Sequence, residues 1–397
     1  MTHPVLAAMQ RDAAEFVAIR RQIHRHPELA FDEHRTAALV ADHLEAWGYA
    51  VERGVGGTGV VGVLRRGTSP RRLGLRADMD ALPIDEASDR PWKSQRAGLM
   101  HACGHDGHTA MLLAAAKHLA EHGGFDGTLV LIFQPAEEGG GGALRMMADG
   151  LFERHPVDAV FAMHNMPGVP LGHLWLRAGA AMASSDYATI TLHGTGGHGA
   201  MPHRAADPVV AAASLVMALQ TIVSRNVDPQ HTAVVTVGAL HAGEANNVIP
   251  HTARLELSVR ALDAGVRRLL EARIRELADA QATSFGVRAE VDWRRGYAVL
   301  VNDAAQTAFA AGVAEELVGP GHVRRDAPAL TGSEDFAFML ERVPGSYLLI
   351  GNGDGPGSCM VHHPGYDFAD DNVAVGGAYW VLLARRFLPA ADACATG

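Results

Sequence analysis

The residues best suited to chemistry sit where apolar runs stop. Residues 73–77 run into Asp78 and Asp80, 128–133 into Gln134-Pro135-Ala136-Glu137-Glu138, and 157–163 into His164, while 347–351 is followed shortly by His362 and His363. Open α/β sheets bind ligands outside the carboxyl ends of their strands, so these endings are expected to converge. Cys103 and His105 lie two apart, where an extended backbone would put both side chains on one side and Gly104 removes bulk between them. Thiol, imidazole and carboxylate in one place form a set of divalent-metal ligands. Of the adjacent Glu137 and Glu138, one can bind a cation while the other takes a proton from water, and the chemistry allows either order. Asp78 and Asp80 would repel each other on one strand face, so a cation or a turn must separate their roles.

Taken singly, each feature has an ordinary explanation. A lone Cys-x-His reads as a buried thiol beside surface histidines, a Glu pair as a solvated loop, and His164 as a satisfied core residue. A His pair reads as a surface loop, and an Asp after a strand as a turn or helix cap. The metal reading rests on their joint occurrence at the ends of buried-looking strands.

Elements that must position them follow from periodicity. Helical patterns cover 12–24 and 34–47, the second closing at Gly48, and apolar strands alternate with helix at 59–64, 73–77, 109–121, 128–133 and 157–163. That alternation implies a mostly parallel sheet with helices on both faces. From Tyr187 the rhythm becomes strand 187–193, helix 207–224, strands 232–241 and 252–261, helix 264–284 and strand 287–293, the ferredoxin-like split order. The expected fold is therefore α/β: a mostly parallel, mixed-sheet catalytic domain interrupted by a smaller ferredoxin-like α+β lid. Its parts are 1–185, an inserted 186–295 for lid and dimerisation, and 296–397, which ends in a helix near 372–387.

The 397 residues exceed what one core usually organises, and 48% hydrophobic with 20% charged residues is an ordinary globular balance. A net charge of −10 argues against a nucleic-acid partner, since that affinity comes from clustered Lys and Arg. The start, with Arg11, Asp12 and Glu15, does not read as a signal peptide, and no apolar run is expected to span a bilayer. Three cysteines, Cys103, Cys359 and Cys394, suit a reducing cytoplasm better than a disulfide framework.

The strings RADMDALPIDE (76–86), MHACGHDGHTAML (100–112), QPAEEG (134–139), MHN (163–165), GGHGAMPH (196–203), NNVIP (246–250), GSEDF (332–336) and HHPGYDF (362–368) cover nearly the whole chain. In this order they resemble the aminoacylase and carboxypeptidase-type dinuclear metallohydrolases. The branch they look most like contains hippurate hydrolases, N-acyl-amino-acid amidohydrolases and plant auxin-conjugate hydrolases. The resemblance implies two divalent metals per subunit bridged by Cys103, with His105, Glu138, His164 and His362 completing the ligands. Glu137 would be the general base, and later the acid toward the leaving amine, while Asp80 would orient a ligand. His198 would stabilise the oxyanion, in several relatives from the partner subunit, and Asn247, Arg260 and Gly332 would hold substrate. His362 fits the ligand position, while His363 stands where the family more often has a small polar residue.

The reaction expected is hydrolysis of an N-acyl amino acid, hippurate-like or N-acetylated, to a carboxylic acid and a free amino acid. Thiolate and imidazole suit zinc, and manganese, cobalt and nickel are the alternatives. The partner is a small-molecule substrate, with neither nucleic acid nor membrane, in a homodimer or higher homo-oligomer. Two other readings are carried: a dipeptidase or deacylase of a biosynthetic N-acyl intermediate, and a non-catalytic metal-stabilised binding protein. An extra carboxylate beside the ligands argues against the last, because a structural site needs no base.

Overall fold

Central strands of a covered sheet must be apolar on both faces, and three runs meet that demand. Arg72–Asp78, Gly127–Gln134 and Ala159–Met166 are buried along almost their whole length. The computed structural model describes residues 3–355 and 358–390, so Cys394 lies outside the described residues. The three runs join Gly345–Gly351 as the parallel centre of an eight-stranded mixed sheet. The hairpin Ala50–Val55 and Gly59–Arg66 extends it antiparallel on one side, and the two-residue strands Leu174–Trp175 and Val323–Arg324 finish the other. Helices flank it. Pro4–Arg25, His105–His122 and Asn372–Phe387 pack on one another through an apolar core that includes Met9, Met111, Ala114 and Trp380.

The chain divides into two compact units. The first is 1–179 with 301–328 and 335–397, and the second is 180–300 with 329–334. The expected edges at 185/186 and 295/296 differ because the second unit's sheet carries its neighbours with it. Ser185 N donates to Tyr297 O and Tyr297 N to Ser185 Oγ, both at 3.1 Å, and Ala183 N donates to Leu330 and Gly332 carbonyls. Periodicity could not show 329–334, a segment far along the chain with no regular structure of its own.

In the second unit the strands Ser184–His193, Ala233–Ala242, Thr252–Ala261 and Arg288–Arg295 form an antiparallel sheet in the spatial order second, third, first, fourth. Alternation decides which face is covered: Ala253, Leu255, Leu257 and Val259 are buried, the residues between them are not. Helices Pro208–Arg225 and Ala264–Ser284 cover that face, started by Asp207 and Asp263, which accept from Val209 N and Val266 N at 2.8 Å. The helix Pro208–Arg225 corrects the expectation that no run could span a bilayer, since its length and composition suffice for one. It packs Ala211, Leu215, Leu219 and Ile222 into the unit's own core instead.

Candidate metal centre

The strand Arg72–Asp78 delivers two acids by way of a buried arginine. Arg76 donates to Gln134 Oε1 at 2.9 Å, Asp78 Oδ2 at 2.8 Å and Asp335 Oδ1 at 3.2 Å. Asp78 also receives His108 Nδ1 at 2.6 Å, while His108 Nε2 accepts from both the backbone N and Nδ2 of Asn165 at 3.0 Å. Two N–H groups aimed at Nε2 fix the tautomer, so the His108 proton sits on Nδ1. Asn165 then donates to Cys103 O at 2.6 Å and accepts from the Tyr366 hydroxyl at 2.7 Å.

Cys103 and His105 come together by a route other than the expected extended backbone. His105 is the first residue of the helix His105–His122, and Gly104 before it is left-handed at φ 87°. A Cβ on Gly104 would collide with Asn165 Nδ2 and Tyr366 Oη, so both conformation and space demand glycine there.

Two sets of donors share one thiol. The donor atoms of Cys103, His105 and His164 lie within 4.8 Å of one another, as do those of Cys103, Glu138 and His362, and those of His105, Glu137 and Glu138. The five expected ligands and Glu137 therefore meet. His105 Nδ1 lies 3.2 Å from Asp80 Oδ1, and its Nε2 is buried with no hydrogen-bond partner. His164 donates from Nδ1 to Asn165 O at 2.6 Å, turning Nε2 to within 3.3 Å of Cys103 Sγ. Each ring thus has its outer nitrogen tied and its inner one free for a cation. His362 Nε2 lies 3.1 Å from Glu138 Oε1, and its backbone, left-handed at φ 67°, is held by donation to Ala102 O at 2.7 Å. His363 belongs to none of these sets, and its Nδ1 accepts from Gly365 N at 3.0 Å. A further set, Asp78, His105 and His108, is engaged internally and serves as support.

Burial and neighbouring carboxylates, Glu138 first, hold the Cys103 thiol well above its usual range. Burial and then His108 hold His164 well below its own, hence neutral. Burial opposes a charged His105, yet Asp78 and Asp80 outweigh it and raise the ring to about 10. Burial likewise opposes the Glu138 carboxylate, but the hydrogen bond to His362 and the charge on His105 keep it below the usual value. Around the buried thiol and the inward-facing imidazole nitrogens, the carboxylates Asp78, Asp80, Glu137 and Glu138 leave an excess of negative charge. Divalent cations fit that excess, and a bound cation deprotonates such a thiol.

In the second unit, Gly197–His198 pairs with Val248–Ile249, and Gly199 N donates to Asn247 O at 2.8 Å, which brings His198 and Asn247 together. His198 Nδ1 accepts from Ala200 N at 3.1 Å, so a neutral ring carries its proton on the exposed Nε2. Arg260, at the end of its strand, donates to Ser333 Oγ at 3.0 Å beside Gly332. Spacing did not expose His108, Asn165, Arg76, Tyr366 or Asp335. All five stood inside the quoted strings, but nothing in their type announced ties to residues up to 259 positions away.

The sequence model of peptidase family M20/M25/M40 matches residues 74–386. The chain belongs to this family. Among relatives of this M20 hydrolase, hippurate hydrolase of Campylobacter jejuni is 46% identical over 94% of this chain and 97% of that protein. N-acetyl-L-cysteine deacetylase of Bacillus subtilis is 38% identical over 94% and 88%. Among solved structures, a Bacillus subtilis dinuclear metal-binding peptidase from the M20 family superposes with a TM-score of 0.83 at 31% identity, covering 96% of this chain and 99% of that one. The M20 match takes in every expected site residue and leaves out the first 73.

Proposed function

We propose that this M20-family hydrolase cleaves the amide bond of N-acyl amino acids, releasing a carboxylic acid and a free amino acid. The observation that carries the reading is the place of Glu137. It is buried at 6% exposure and lies within 4.8 Å of His105 and Glu138, yet it belongs to neither donor set that shares Cys103. A carboxylate beyond those needed to hold cations is a base. The 46% identity to a hippurate hydrolase supports the substrate class.

Cys103, His105 and His164 would hold one cation and Cys103, Glu138 and His362 the other. When bound, two divalent cations, zinc by our assignment, supply the charge that polarises the acyl oxygen and lowers the pKa of the attacking water. Glu137 accepts the water proton as the oxygen adds to the acyl carbon, then returns it to the nitrogen as the C–N bond breaks. Asp80 keeps the Nδ1 proton of His105 engaged and so its Nε2 turned inward. To His198 we assign donation from Nε2–H to the developing oxyanion, whichever copy of the chain supplies it, and to Asn247, Arg260 and Gly332 the holding of substrate.

The assembly we assign is a homodimer in a reducing cytoplasm. Val210 and Met217 on the helix Pro208–Arg225 are 52% and 70% exposed, and Leu240 on the edge strand Ala233–Ala242 is 43% exposed, which supports self-association through this unit.

A panel of hippurate, N-acetyl amino acids and dipeptides, each with zinc, manganese, cobalt or nickel, tests the function. Release of free amino acid from the acylated substrates ahead of the dipeptides is expected. Cleavage of dipeptides alone would overturn the reading.

A further inference from the structure

Three segments bearing site residues are gripped from one short stretch, residues 20–33, which lies outside the family match at 74–386. Each grip lands one residue from a site residue. Arg20 and His24, both fully buried, hold the Asp106 carboxylate at 2.8 and 2.9 Å, next to His105. Glu28 O accepts from Ala81 N at 2.8 Å, next to Asp80. Glu33 Oε1 accepts from Ala136 N at 2.9 Å, next to Glu137.

The last grip is the most demanding. Ala136 is left-handed at φ 53°, a conformation that an alanine avoids unless its surroundings impose it. Its carbonyl is tied by Gly142 N at 3.0 Å, and its N–H is tied, among the described residues, by Glu33, a carboxylate with 0% exposure whose second oxygen takes the Thr58 hydroxyl. Two residues on, Glu138 N donates to Asp80 Oδ2 at 2.9 Å. Two buried carboxylates therefore hold alternate N–H groups of the turn that presents Glu137 and Glu138.

We propose that Glu33 is a positioning residue for the metal centre: by fixing Ala136 in the left-handed conformation it aims Glu137 and Glu138. The proposal rests on the metal reading given above. It makes the two cation sites unequal in their dependence on Glu33. Glu138 belongs to the set with Cys103 and His362 and not to the set with His105 and His164, so only the first feels the loss.

Metal-free protein titrated with zinc against a chelator gives two binding constants without reference to catalysis. In Glu33→Ala one constant should weaken about 10–100-fold, the usual consequence of losing a group that orients a ligand, while the other stays put. Glu33→Gln, whose amide oxygen still accepts from Ala136 N, should restore it. In the loaded enzyme Glu33→Ala should lower kcat more than it raises KM, since Glu137 is aimed by the same turn. Asp263→Ala, which removes a helix cap in the second unit, serves as the stability control and should lower Tm with both constants unchanged. Should Glu33→Ala fail to fold, Thr58→Val loosens the same carboxylate and should give the same one-sided weakening at smaller size. Equal weakening of both constants, or none, overturns the role of Glu33. A wild-type chain that takes up fewer than two ions overturns instead the metal reading beneath it.

Discussion

Around Cys103 in the first unit, polar side chains are buried and engaged more than once. Asp78 is held by Arg76 and His108, Asn165 by Cys103 O, His108 and Tyr366, and Asp80 by His105 and Glu138 N. In the second unit, His198 and Asn247 stand exposed on a ribbon of two paired residues per strand. The contrast separates two tasks. Cations and a base need donors fixed before anything arrives, and buried networks supply that rigidity. His198, in the role proposed for it, must meet a substrate that comes and goes, and an exposed ribbon leaves it room.

The strongest way to break this contrast is to remove the proposed base while sparing its frame. Glu137→Gln keeps the shape and loses the proton acceptor, so kcat should fall about 10²–10⁴-fold, with two metals still bound by elemental analysis. Loss of metal together with activity would make Glu137 one more ligand and erase its separate status. A smaller effect is expected from the ribbon: His198→Ala should cost about 10²–10³-fold in kcat with metal constants untouched. Unchanged kcat would leave the ribbon a surface feature only.

How much of this was legible depended on the range of the interaction. Strand ends at Asp78 and Gln134, the strand that carries His164 (although it runs on to Met166), and the alternation that separates the two units, were visible because burial repeats locally. The Cys103 and His105 pair was found for a reason the structure replaces, because Gly104 is left-handed under the demand of Asn165 and Tyr366, which a sequence window never sees. His362 was preferred over His363 by resemblance alone, without its place beside Glu138 being visible, and the tie from Glu33 to Ala136 spans 103 positions between residues of unremarkable type. Strands of two residues, such as Leu174–Trp175, are too short to show a period. The boundaries moved because 329–334 joins the second unit by backbone hydrogen bonds to Ala183.

A last and smaller effect concerns stability, and its sign differs between the two units. His24 is buried among Asp106, Glu86, Arg20 and His101; burial opposes its charge, but Asp106 and Glu86 outweigh burial and raise it from 6.5 to about 9. A ring whose folded value lies above its unfolded one stabilises fully below the unfolded value and loses that stabilisation as pH rises through the folded one. A gap from 6.5 to about 9 corresponds to about 3 kcal/mol, so urea midpoints of the wild type should fall between about pH 7 and about pH 10. His24→Gln should be less stable near neutrality and lose most of that slope, and an unchanged slope would remove His24 as its origin. Asp263 in the second unit behaves oppositely: the Val266 N–H lowers its carboxylate, so its contribution disappears on the acid side, as pH falls through its folded value. Alkaline conditions thus loosen the grip on the helix start that carries His105 while sparing this helix cap of the second unit.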